Sequence, residues 1–215
     1  MLNTACQAQY LTRDVAGMRR ADCDSTHLVK AVKGLDLHAN SYTWVPIDET
    51  NTKIVNANKD LAIKWFAAWA AAKIIALGAQ AKILIPIPCS KTIVASPEDF
   101  RTFKIAQELA ARVPNATATS VLRFVEPRPS SREEGGSRDP NIIYASLTLT
   151  RAIPAGQVVL IDDIMTSGGH FIAASWEPDD HGLAAQFALA GGRSLDAQID
   201  DPFAVAPEDL DVSQA

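Results

Sequence analysis

Apolar residues along this chain fall into two arrangements that alternate. Compact runs such as Ile83-Leu84-Ile85 and Val158-Val159-Leu160-Ile161 suit strands covered on both faces, whereas longer stretches with apolar residues three and four apart suit helices packed by one side. The spacing predicts a short helix over Ser25–Gly34, opened by a hydroxyl and stopped by a glycine, then a strand over Ser41–Val45 ahead of Pro46. A long helix follows from near Asn58 to Gly78, on which Trp65 and Trp69 share a core-facing side. Downstream come a buried strand over Lys82–Pro88, a helix over Phe103–Arg112 and a strand over Thr119–Phe124. Glu126–Pro140 is polar, with prolines and adjacent glycines, and reads as a mobile loop. Tyr144–Thr150 alternates like a half-exposed strand, Gln157–Ile164 is a buried one, and Ala184–Ala190 is the last core strand. Strands alternating with helices predict an α/β fold with a mainly parallel twisted sheet flanked by helices.

Composition narrows the class without choosing a function. The 215 residues suffice for one sizeable core and an accessory piece. A net charge of -5 gives no broad attraction to nucleic acid, so direct nucleic-acid binding is not expected and an anionic ligand must be met by local cations and backbone dipoles. The most hydrophobic stretch, Leu61–Leu77, is largely alanine and is interrupted by Lys64 and Lys73, so no membrane span is expected. Met1–Gly17 lacks the sustained apolar core of a secretory leader. Cys6, Cys23 and Cys89 are too far apart to form a metal-ligand pair and are expected as reduced thiols of a cytoplasmic protein. His27 and His38 lack partners at ligand spacing, His181 falls in a turn, and Asp200-Asp201 has no apolar strand before it.

One segment carries the chemistry. In Val158–His170 an apolar strand runs into Asp162-Asp163, and after Ile164-Met165 the turn Thr166-Ser167-Gly168-Gly169-His170 leads into a helix beginning at Phe171. Such a corner aims backbone N–H groups and the positive end of a helix at a phosphate, while the two acids can accept hydrogen bonds from hydroxyls of whatever carries it. A receiver domain places its acid pair near its start, yet only some fifty residues follow Asp163, too few for a doubly wound domain of about 100–150 residues. A nucleotide hydrolase needs a Gly-x-x-x-x-Gly-Lys-Ser/Thr loop, which is missing.

The segment resembles the sugar-phosphate loop of type I phosphoribosyltransferases. The resemblance implies that Asp162 and Asp163 contact the ribose hydroxyls of phosphoribosyl pyrophosphate and hold Mg²⁺ indirectly, while Thr166, Ser167, Gly168, Gly169 and His170 wrap the 5′-phosphate. His170 departs from the family pattern, which has Thr there. The resemblance further places a pyrophosphate-binding loop after the strand ending at Pro86-Ile87-Pro88, with Cys89, Ser90 and Lys91 as its residues. Within the family the chain is most similar to the competence-associated (ComF-like) branch: Arg101 and Phe103 match its Arg-Gly-Phe-Asn element, Arg138 and Asn141 its Arg-x-x-Asn element, and Thr26–Gly34 its N-terminal helix. That branch's zinc-binding cysteine cluster is missing.

The implied organisation is a small N-terminal hood with the long helix over residues 1–80, a phosphoribosyltransferase core over 81–198, and an acidic, weakly ordered tail over 199–215. The implied activity is Mg²⁺-dependent transfer of the phosphoribosyl group to an unidentified nitrogenous acceptor with release of pyrophosphate. Arg101 would join the ligand set, and Arg138 would act catalytically by closing the 126–140 loop, with Arg128 and Arg132 as weaker candidates among four acids. The alternatives are a non-catalytic phosphoribosyl-ligand sensor linked to DNA uptake or processing, and hydrolysis of a phosphoribosyl compound in the same pocket. Whether the protein forms a homo-oligomer stays open.

Overall fold

The run Val158-Val159-Leu160-Ile161 is at most 1% exposed and forms the middle of the sheet on which the molecule is built. The computed structural model describes residues 1–12, 17–129 and 136–213. Along the chain come β1 (Leu2–Leu11), α1 (Arg20–Val32), a hairpin of β2 (Thr43–Ile47) and β3 (Thr50–Ile54), then α2 (Leu61–Ala76), β4 (Lys82–Pro86) and α3 (Arg101–Ala110). The second half contributes β5 (Ala116–Ala118), β6 (Leu122–Phe124), α4 (Pro140–Tyr144), β7 (Leu147–Leu149), β8 (Gln157–Met165), α5 (Gly169–Asp180), β9 (Ala185–Leu195) and β10 (Glu208–Leu210). The main sheet has the order β10-β1-β9-β8-β4-β5, and all neighbours in it are parallel except the β1/β10 edge. This is the mainly parallel α/β architecture expected from the pattern.

The two faces of the sheet are covered by different elements. Leu28 and Val29 of α1, Phe66 and Ala70 of α2, and Ile105 and Leu109 of α3 form one core with the β2–β3 hairpin. On the other face Phe171 and Ala174 of α5 pack with Ile143 of α4 and with Phe124 and Leu147 of the short β6–β7 pair. The helix α2 buries one side against α3, α1, the hairpin and β1, and leaves Lys64, Lys73 and Ile75 exposed on the other. Among the described residues no helix is long and apolar enough to cross a membrane.

Several elements differ from expectation. The first strand, β1, which the apolar pattern did not predict, lies inside the main sheet between β9 and β10. Its buried polar residues concealed it: the Thr4 hydroxyl donates to the Glu208 carbonyl at 2.8 Å and the Gln9 side chain to the Ala197 carbonyl. The tail beyond Ile199 contributes β10, whose backbone is satisfied by β1 and whose Glu208 pairs with Arg193 at 2.6 Å. Of Thr119–Phe124 only Leu122–Phe124 form a strand, β6, while Thr119–Val121 connect it to β5, and Tyr144 closes α4 before β7 begins. The first helix starts earlier than its hydroxyl suggested, at Arg20, where Asp22 accepts the Arg19 backbone N–H at 2.8 Å.

Candidate functional site

The corner after β8 begins with two adjacent acids. Asp162 and Asp163 are half-buried at the carboxyl end of the strand, and the Asp163 backbone N–H donates to the Asp162 carboxylate at 2.7 Å. Burial raises the pKa of both; the neighbouring Asp163 charge pushes Asp162 further up, well above its ordinary value, while Lys33 partly offsets the rise at each. Such a pair favours whatever cation or hydroxyl donor can relieve it.

The turn that follows depends on its glycines. Gly168 sits at φ 84°, in the left-handed region, at the N-cap of α5. A Cβ added at Gly169 would lie 2.1 Å from the Arg138 carbonyl oxygen, so only glycine lets residues 136–139 close against the helix start. The first N–H groups of α5 have no partners within the helix and carry the positive end of its dipole. His170 is half-buried beside them; burial first, then Arg128 and Lys33, lower its pKa to about 4, so its imidazole is neutral at neutral pH.

The strand β4 ends alongside β8, with Pro86 opposite Ile161 and the Ile87 N–H donating to the Ile161 carbonyl at 2.8 Å. Cys89 and Ser90 therefore reach the same edge as the acids, as expected of ligand sites in open α/β sheets. A cavity of about 360 Å³ lies between the two corners and is lined by Asp162, Asp163, Thr166, His170, Cys89 and Ser90. Arg128 and Ser137 from the 126–140 segment close one side, and Lys33, Leu35 and Thr102 close the other.

Other expected residues stand apart. Ser167 and Lys91 are exposed, and neither lines the cavity. Arg101 turns away from the opening: its guanidinium donates to the Val32 carbonyl at 2.7 Å and to the Ala31 carbonyl, and pairs with Asp60. Arg138 brings its backbone carbonyl to Gly169, but its side chain is outside the lining. Arg128 uses Nη1 on the Ile142 carbonyl at 2.9 Å and on the Ser146 hydroxyl. Arg132 lies outside the described residues. Sequence reasoning missed Lys33; it stands one residue before the helix-stopping Gly34, a position whose direction depends on the docking of α1.

No protein-family model matches the chain, and no curated protein does. Among solved structures the chain is similar to an adenine phosphoribosyltransferase from Thermoanaerobacter pseudethanolicus, with a TM-score of 0.40 and 16% identity over 72% of this chain and 94% of that one. A likeness at that level leaves the assignment to the site's own geometry.

Proposed function

We propose that the protein binds phosphoribosyl pyrophosphate, or a closely related phosphorylated pentose, in this cavity and transfers its phosphoribosyl group to a nitrogenous acceptor. The observation that carries the reading is the convergence of the acid pair, Thr166 and His170 at the start of α5, and the Cys89-Ser90 corner on one cavity, which the buried Gly168 and Gly169 shape without lining it. The turn and the α5 dipole suit a 5′-phosphate, and the two carboxylates suit the ribose hydroxyls, whose hydrogen bonds offset the cost of burying the acids. Neutral His170 can donate one N–H to the phosphate without adding charge.

Mg²⁺ fits this donor set in part. Asp162 and Asp163 supply hard oxygen ligands, whereas among the described residues no three acidic, histidine or cysteine side chains cluster around a metal position. A bound Mg²⁺ would take its remaining ligands from the diphosphate, the ribose and water, and would neutralise charge on the leaving group. The chain itself orients the sugar and presents dipoles to the departing diphosphate.

A pyrophosphate-release assay across a panel of purine, pyrimidine and simple amine acceptors tests the reading. Release that requires one acceptor supports transfer, and release without any acceptor points to hydrolysis. Binding with no release supports the second reading, a ligand-binding protein without turnover. That reading is favoured by Lys91 and the Arg138 side chain, both of which lie away from the cavity.

A further inference from the structure

Resting on that reading, we propose that Lys33 receives the ligand's second anionic group, the diphosphate carried at the opposite end of the sugar from its 5′-phosphate, and that Arg101 is the positioning residue that holds Lys33 in place. The cavity is built from both faces of the sheet. His170, Ser137 and Arg128 enter from the side of α4 and α5, whereas Lys33, Leu35 and Thr102 enter from the side of α1 and α3. A ligand seated with one phosphate on the α5 turn crosses the acid pair and meets the end of α1. Gly191 of β9 lies between that end and the backbone of the acid strand, since a Cβ added there would lie 2.8 Å from Val32 Cγ1 and 3.0 Å from the Asp163 carbonyl oxygen.

The cations around the cavity are not equivalent. Arg128 is engaged by the Ile142 carbonyl and the Ser146 hydroxyl, and His170 is neutral at neutral pH. The Lys33 ammonium has no hydrogen-bond or ion-pair partner among the described residues, and it lines the same cavity as both acids. Lys33 is the C-cap of α1, and the two carbonyls just before it, of Ala31 and Val32, are those that the Arg101 guanidinium grips. The turn after it stacks on the same group, with the Gly34 Cβ position 3.4 Å from Arg101 Nε. Arg101 thus fixes the backbone that carries Lys33 and keeps no donor directed at the ligand.

The test compares two probes by calorimetry, ribose 5-phosphate and phosphoribosyl pyrophosphate, each with Mg²⁺. The expected result is that Lys33→Met weakens the diphosphate ligand by roughly ten- to hundredfold, the loss of one charge-assisted contact, and leaves ribose 5-phosphate binding as in the wild type. Lys33→Arg should retain most of the preference, and Arg101→Met should reduce it in the same direction as Lys33→Met. A Lys33→Met protein that keeps wild-type affinity for the diphosphate ligand, or that loses both probes equally, overturns the assignment while the sugar-phosphate site stands. Arg101→Met leaving the preference intact removes its positioning role. A wild type that binds neither probe removes the underlying reading and this one with it.

Discussion

Asp162 and Asp163 hold protons more tightly than carboxyls in the unfolded chain, whose ordinary value is 3.8. Folding therefore gains stability from proton uptake below that value and loses it as pH rises through the raised folded values. Replacing both by Asn removes the loss. The double variant is expected to gain on the wild type as pH rises above about 4. Urea melts at several pH values measure this, and parallel stability curves would contradict it. His170 runs the other way: its pKa falls from 6.5 to about 4, so the stability present above 6.5 is lost as pH drops towards 4. His170→Thr should flatten that acid limb, and ligand affinity should show no histidine step between about pH 6 and pH 8. A step in affinity near 6.5 would place a charged imidazole on the ligand instead. Gly169→Ala forces its Cβ against the Arg138 carbonyl and is expected to cost about 1–3 kcal/mol, with a matching loss of ligand affinity. Unaltered melts and binding would show that residues 136–139 yield freely.

At the scale of elements, the C-terminal strand β10 supports the phosphate turn from behind. Leu210 lies over Gly168, where a Cβ would come within 2.7 Å of its Cδ1, and the Val212 carbonyl accepts the Trp176 indole N–H at 2.6 Å. A chain ending at Ala206 should lose about 2 kcal/mol and about 4–8 °C in Tm, with a red-shifted tryptophan emission as Trp176 gains solvent. Unchanged melting and emission would show that β10 is dispensable. Such elements were the least legible in the sequence. The buried strands β4 and β8 announced themselves by uninterrupted apolar runs, and α2 by its length and its glycine stop at Gly78. By contrast β1 mixes its buried Leu2, Ala5, Cys6, Ala8, Tyr10 and Leu11 with Thr4, Gln7 and Gln9, equally buried residues that look like surface ones, and β10 has only Leu210 as an apolar residue. Pattern reads apolar runs; it cannot read a strand in which buried polar and apolar residues are mixed.

For the whole molecule, the site was legible in proportion to its locality. Asp162, Asp163, Thr166 and His170 follow from one contiguous motif, and Cys89 and Ser90 from the rule that ligands gather at the carboxyl ends of parallel strands. Arg101 looked like a ligand because a loose motif matched, yet the docking of α1 against α3 gave it two carbonyls to satisfy. Lys33 enters the cavity because α1 packs on the sheet chiefly over β1 and reaches β9 and β8, a long-range fact with no local signature. The assembled cavity thus has the start of α5 at one end, an acid pair at its centre and a cation opposite, an order that suits the proposed pentose carrying charge at both ends. Isothermal titration of the wild type with phosphoribosyl pyrophosphate and Mg²⁺, repeated on Asp162→Asn with Asp163→Asn, tests this most directly. One site per chain that disappears in the double variant is the predicted result; no heat from the wild type, or the same affinity in both proteins, contradicts it.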